Sequence, residues 1–191
     1  MRFSLWELVM PVDLPIDAGW AGRSLLHLHE LLGSYDGELP RFEPWDEVDA
    51  LLALQPPSPE VERVRAVAAE LRAELDRRER RAQPMHGDAH LGNVIPTARG
   101  ALWTDFEIAC VGPVEWDLAC LISWRVEYDE PQPEVDAALA AYGEHDGSLL
   151  ELLAPVRLLF VAAWTLELSR RRPDVRAYAE RRVERLLRLT P

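Results

Sequence analysis

Residues 93 to 105 constrain the shape of this chain more than any other stretch. Asn93-Val94-Ile95 and Ala101-Leu102-Trp103-Thr104 are short apolar runs on either side of Pro96-Thr97-Ala98-Arg99-Gly100, a pattern that predicts a β-hairpin. Such a hairpin would carry Asp105 back toward Asn93. Elsewhere apolar residues recur with helical spacing. Asp17 can cap a helix through Leu32, with Leu25, Leu28 and Leu32 on one face and Gly33 as its stop. Ser58 and Pro59 suit the start of a helix through about Arg81, burying Val61, Val64, Ala68, Leu71 and Leu75. Further helices are expected over Pro113 to Tyr128, over Pro133 to Tyr142 with a stop at Gly143, and over Leu149 to Leu168, kinked or divided at Pro155. Asp174 can cap a last helix with Val175, Tyr178, Val183 and Leu186 facing inward. Phe3 to Val9 reads as a short strand. No repeat and no long linker divides the chain, although Gln55-Pro56-Pro57-Ser58-Pro59 is a local break. The expected class is mainly α with a small β-hairpin.

Composition bounds the function. A chain of 191 residues, 48% hydrophobic, can bury one core without disulfides. Cys110 and Cys120 lack metal-binding spacing and read as reduced packing residues. With 33 acidic residues against 21 basic ones the chain argues against a nucleic-acid footprint and permits a cationic substrate. The acidic run from Glu127 to Asp136 could receive an ammonium group, or could be a solvated loop. The Arg clusters at 77–81 and 170–172 fit solvated helix ends. The N-terminus lacks signal-peptide character, and the best apolar run, Leu149 to Trp164, contains Glu151, Pro155 and Arg157, so neither secretion nor a membrane span is expected. A cytoplasmic protein follows.

Around the hairpin lies a set of acids with assignable roles. His86-Gly87-Asp88 and Asn93 reproduce the spacing H-x-D-x-x-x-x-N, and Asp105-Phe106-Glu107 follows twelve residues after Asn93. In the kinase signature the first Asp accepts the proton of the attacking hydroxyl, the Asn holds Mg²⁺, and the Asp of D-F-G holds metal. Here Glu107 stands in the Gly position. Phosphoryl transfer needs little covalent help from a protein, only a positioned nucleophile and cations that neutralise the triphosphate.

The combination HGD-x-H-x-x-N, DFE and Gly112-Pro113-x-x-Trp116-Asp117-Leu118-Ala119 resembles the aminoglycoside phosphotransferase and choline kinase group, which has a protein kinase-like fold. The resemblance implies that Asp88 is the catalytic base, that Asn93 and Asp105 hold Mg²⁺, and that Asp117 is a buried acceptor fixing the catalytic loop. It implies ATP and a small-molecule alcohol as substrates. It also places Glu7, Leu8 and Val9 at the hinge, where main-chain groups would meet the adenine. Residues 1–10 are then a hinge remnant and 11–191 the helical C-terminal lobe. Kinases of this kind clamp the phosphates with an N-terminal lobe bearing a strand Lys and a helix Glu, and all 21 basic residues of this chain are Arg. The expectation is a C-terminal lobe without its N-terminal lobe, impaired in isolation, with an open cleft face that invites self-association or a partner.

Two other readings use the same residues. His86, Asp88 and His90 could present a hydrolytic transition-metal site, which leaves Asn93 and the DFE segment unexplained. A kinase-derived module that binds a partner and catalyses nothing would not need Asp88, Asn93 and Asp105 together. His86 suits packing and His90 either the phosphate side or a brace, while Glu107 suits a water of the metal or a structural role. His27 and His29 fall on different helix faces, and Trp103 and Trp116 suit the core.

Overall fold

The structure, a computed structural model, describes residues 8–13, 15–98, 100–123 and 133–189. Among them are seven α-helices and two antiparallel ladders. Helices α1 (Ala18–Leu32), α2 (Pro44–Ala53) and α3 (Pro59–Asp76) precede the strands. Strands β1 (Gln83–Met85), β2 (Val94–Thr97), β3 (Gly100–Trp103) and β4 (Cys110–Gly112) then carry the motif. Helices α4 (Val114–Leu121), α5 (Pro133–Tyr142), α6 (Gly147–Arg171) and α7 (Arg176–Leu189) complete the chain.

Helix α6 organises the core. It packs against α2, α3, α4 and α7, and Leu153, Val156, Leu158, Leu159, Ala162 and Ala163 are all buried. A helix apolar on every side belongs in an interior. It is also long and apolar enough to cross a membrane by length and composition, but 56% of that window is buried inside the molecule. Of the two outcomes expected at Pro155, a kink or a division, the division does not occur, since α6 runs unbroken through it. An interior proline costs about 3 kcal/mol, whereas each large apolar side chain buried returns roughly 1.5–3 kcal/mol.

The caps at Asp17 and Ser58 form as expected: Asp17 accepts from the Trp20 amide at 2.6 Å and Ser58 from the Val61 amide at 3.2 Å. Two expectations are corrected and two elements are added. Helix α3 ends at Asp76 rather than near Arg81. Asp174 caps nothing; it lies in the short 3-10 turn Pro173–Val175, paired with Arg172 at 2.7 Å. Helix α2 was not foreseen, although Trp45, Val48 and Leu52 bury one face of it. The β1–β4 ladder was not foreseen either; it pairs Gln83 with Gly112 and Met85 with Cys110. Of the strand expected over Phe3 to Val9, residues 3–7 lie outside the described residues, and Leu8 and Val9 are irregular. The acidic run is likewise outside them through residue 132, and its remainder opens α5. Helix α4 ends at Leu121, and residues 124–128 of the helix expected there are not among those described.

The hairpin forms with a tighter turn than expected. Val94 pairs with Trp103 and Thr97 with Gly100, so Pro96 and Thr97 belong to the strand. Beyond the last pair the Thr104 amide donates to the Asn93 carbonyl at 2.9 Å. Asn93 and the residue before Asp105 are thereby bonded to each other.

Candidate active site

Two ladders and one buried acid hold the loop from His86 to Asn93. Met85 and Cys110 pair at one end of it and Val94 and Trp103 at the other. Beneath it Asp117, wholly buried on α4, accepts from the His86 amide (2.8 Å), the Gly87 amide (2.8 Å) and His29 Nε2 (2.9 Å). Three donors satisfy the buried carboxylate, and it fixes the loop backbone in return. His29 Nδ1 meets the Tyr142 hydroxyl at 2.9 Å; with Nε2 donating to Asp117, the Nδ1 of a neutral ring accepts from the Tyr142 O–H, and burial pushes that phenol's pKa up. Gly87 requires its lack of a side chain, since its φ is +89° and a Cβ would lie 2.3 Å from the Ile108 carbonyl oxygen.

His86 is a brace. Its Nε2 donates to the Thr104 carbonyl at 2.8 Å and its Nδ1 accepts from the Asp88 amide at 3.2 Å, so both ring nitrogens are used. Its ring packs on Phe106 at 4.5 Å between centroids. This ties the HGD loop to the DFE segment. It also removes His86 from any hydrolytic metal set, and among the described residues no group of three or more His, Cys, Asp or Glu is placed to hold a metal ion.

Asp88 stands in the loop with its two carboxylate oxygens facing different neighbours. Oδ2 receives the Asn93 amide at 3.3 Å and lies 3.4 Å from His90 Nε2. Oδ1 receives Arg157 Nη2, from α6, at 2.6 Å. Burial raises the Asp88 pKa, but the His90 hydrogen bond, the Arg157 charge and the Asn93 amide outweigh it and hold the carboxyl below its ordinary value. His90 is fixed in turn, its Nδ1 accepting from the Gly92 amide at 3.0 Å, so it braces Asp88.

Asn93 is buried and its amide nitrogen is held twice, by the Asp88 carbonyl at 2.9 Å and by the Asp88 carboxylate. That orientation leaves the amide oxygen as the atom available to a ligand. Asp105 is exposed and has a φ of +66°, a left-handed backbone that few non-glycine residues adopt. An amide oxygen and a carboxylate are hard oxygen donors suited to Mg²⁺ with water completing its shell. Glu107 is exposed on the same segment. Of the residues expected at a hinge, Glu7 lies outside the described residues, Leu8 is exposed and Val9 is half-buried.

Sequence reasoning missed Arg157 and the place of His29 in the loop's support. A lone Arg between Val156 and Leu158 in an apolar helix had to find a partner inside. His29, four residues beyond Leu25 on the buried face of α1, carried a similar signal. Cys110 and Cys120 are buried free thiols, as expected, with Cys110 pushed up to about 12 by burial.

The fold is shared with small-molecule kinases. Choline kinase LicA from Streptococcus pneumoniae superposes with a TM-score of 0.71 at 19% identity, covering 90% of this chain and 63% of that one. A choline/ethanolamine kinase family protein from Mesorhizobium loti gives 0.71 at 22% identity, covering 91% of this chain and 63% of that one. The amicoumacin kinase hAmiN, in complex with AMP-PNP, Ca²⁺ and Ami, gives 0.70 at 19% identity, covering 91% of this chain and 60% of that one. This chain therefore spans a little under two thirds of the length of these structures. No curated protein sequence matches it. The model of the phosphotransferase enzyme family matches residues 9–159, and the chain belongs to that family.

Proposed function

We propose that this chain is the helical catalytic lobe, residues 11–191 with 1–10 as the hinge segment, of a cytoplasmic ATP-dependent phosphotransferase acting on a hydroxyl of a small molecule. One observation carries the reading: Asn93 is locked to Asp88 with its amide oxygen left over, one hydrogen bond away from the residue preceding a strained Asp105. Solved relatives that bind AMP or AMP-PNP, one of them with Ca²⁺, support a nucleotide with a divalent cation.

Asn93 and Asp105 would hold Mg²⁺, which when bound neutralises charge on the triphosphate. Asp88 orients the acceptor hydroxyl and accepts its proton as the γ-phosphoryl group moves. His90 and Arg157 keep that carboxylate ionised and aimed. Asp117 and His86 hold the loop so that none of these groups must reorganise during transfer. Main-chain groups of Leu8 and Val9 would meet the adenine. With no Lys to clamp the phosphates, the isolated chain binds ATP weakly and turns over slowly.

The test is ADP release by the chain with Mg²⁺ across a panel of alcohols, including amino alcohols, aminoglycosides and hydroxy acids. Release that vanishes in Asp88→Ala and in Asp105→Ala is the expected result; release surviving both substitutions ends the reading. A second reading, a non-catalytic module that docks a partner or a second copy, draws on the exposed Leu8, Met10, Leu102 and Ile108 in and around the hairpin. It predicts tight self-association or partner binding indifferent to Asp88 and Asp105.

A further inference from the structure

Arg157 is buried to 6% exposure and yet under-bonded. A guanidinium carries five N–H donors, and the hydrogen bond it makes within the described residues is the single one from Nη2 to Asp88. Its Nε is buried with no partner. Leaving buried donors of a charged group unfilled is unfavourable; the Nε is sealed from any ligand, so oxygen atoms supplied from outside the protein fit the terminal Nη donors that Asp88 does not use. The guanidinium also lies over two rings, 5.8 Å from the Trp116 centroid and 5.6 Å from that of Phe160.

Position gives these donors a purpose. Asn93 and His90 take one oxygen of Asp88, on the side of the hairpin, and Arg157 takes the other, on the side of α6. A hydroxyl reaching Asp88 from the helical side arrives beside the guanidinium. Aromatic faces that could cradle a ligand cation are already covered by the chain's own cation, and an ammonium group two or three bonds from that hydroxyl would meet a like charge.

We propose that Arg157 sets acceptor specificity: the alcohol taken here carries its own anionic oxygens, a carboxylate or a phosphate close to the hydroxyl, and not an ammonium group. This rests on the reading of Asp88 as the group that orients the hydroxyl. Planar bidentate recognition of such anions is what guanidinium geometry favours over an ammonium.

Binding by the full chain is measured calorimetrically without nucleotide, using D-glycerate and glycerol 3-phosphate as anionic alcohols and choline and ethanolamine as cationic ones. At least one anionic alcohol binds ten times or more tighter than either cationic one, and whether it is glycerate or glycerol 3-phosphate decides between carboxylate and phosphate. Arg157→Met weakens that binding at least tenfold while keeping the stem against Trp116 and Phe160, and Arg157→Lys restores part of it. The comparison of probes on the unsubstituted chain requires neither variant to fold. The proposal is overturned if neither anionic alcohol binds, if choline or ethanolamine binds as tightly, or if a folded Arg157→Met binds the anion unchanged. Leaving ATP out separates this from phosphoryl transfer: a chain that binds glycerate through Arg157 yet releases no ADP with any alcohol loses the proposed activity and keeps the specificity.

Discussion

Burial alone would push the Asp88 carboxyl upward, and the His90 hydrogen bond, the Arg157 charge and the Asn93 amide overturn it. A carboxylate with a folded pKa below its unfolded one stabilises the fold fully above the unfolded value, near 3.9, and loses that contribution as pH falls through the folded value. Asp88→Asn removes this titration. The variant should be less stable by about 2 kcal/mol at pH 7, the scale of hydrogen bonds to a charged group, and the gap should narrow below about pH 4. Urea unfolding of both proteins at several pH values measures it. The same variant should lower the transfer rate by roughly 10² to 10⁴, the share of a general base, with Mg²⁺·ATP binding retained. Asp105 makes a complementary case. Its left-handed backbone costs up to about 1–2 kcal/mol for a residue with a side chain, so Asp105→Gly should leave stability unchanged or raise it by up to about 1 kcal/mol while abolishing metal-dependent nucleotide binding. Loss of both stability and binding would make Asp105 a structural residue. That Asp88, Asn93, Asp105 and Asp117 gather around one loop was legible because they lie on short connected segments with a recognisable spacing. Arg157 and His29 were not, because their partners lie 69 and 88 residues away, and no periodicity encodes that meeting.

Helices with caps and a sustained apolar face could be read along the chain, as α1 and α3 show. Helix α2 lacks a side-chain cap bond at Glu43 and runs for only 10 residues, so its face is short, and the start signals it does carry, Pro44 and the first-turn acids Asp46 and Glu47, were not read. Strands β1 and β4 have three residues each, too few for alternation, and form because loops bring them together. Pro155 does not divide its helix, since a local rule about proline lost to the burial of a whole helix. Two element-scale substitutions probe this scaffold. On α1 a Cβ at Gly22 would lie 2.0 Å from the Ala138 carbonyl oxygen of α5, so Gly22→Ala must force the two helices apart. It should cost roughly 3 kcal/mol or more, at or above the upper end for overpacking, and a loss below about 1 kcal/mol would mean that α1 and α5 do not pack this closely. Asp117→Ala strips the partner from the His86 and Gly87 amides and from His29, at about 1–3 kcal/mol for each orphaned donor. It should lower the thermal midpoint and abolish catalysis without removing any group that touches substrate.

At the scale of the whole molecule, the chain carries a formal charge of -12, and the Asp88 carboxylate in its candidate site is paired with a buried Arg. The fold belongs with kinases, and the chain spans under two thirds of the length of the solved relatives. Its own residues would supply, on the reading proposed, Asp88 as base and Asn93 and Asp105 as oxygen donors, and it has no Lys. Such a chain should bind Mg²⁺·ATP with a dissociation constant on the order of a millimolar, close to 4 kcal/mol of binding, and the metal should be required. The most direct measurement replaces Mg²⁺ with paramagnetic Mn²⁺ in the presence of ATP and follows the amide signals of the isotopically labelled chain by nuclear magnetic resonance. Signals of Asp88, Asn93 and residues 104–106 should broaden first, and the effect should disappear in Asp105→Ala and in Asn93→Ala. Broadening spread over the acidic surface instead, or left unchanged by both substitutions, would contradict the assignment of this site.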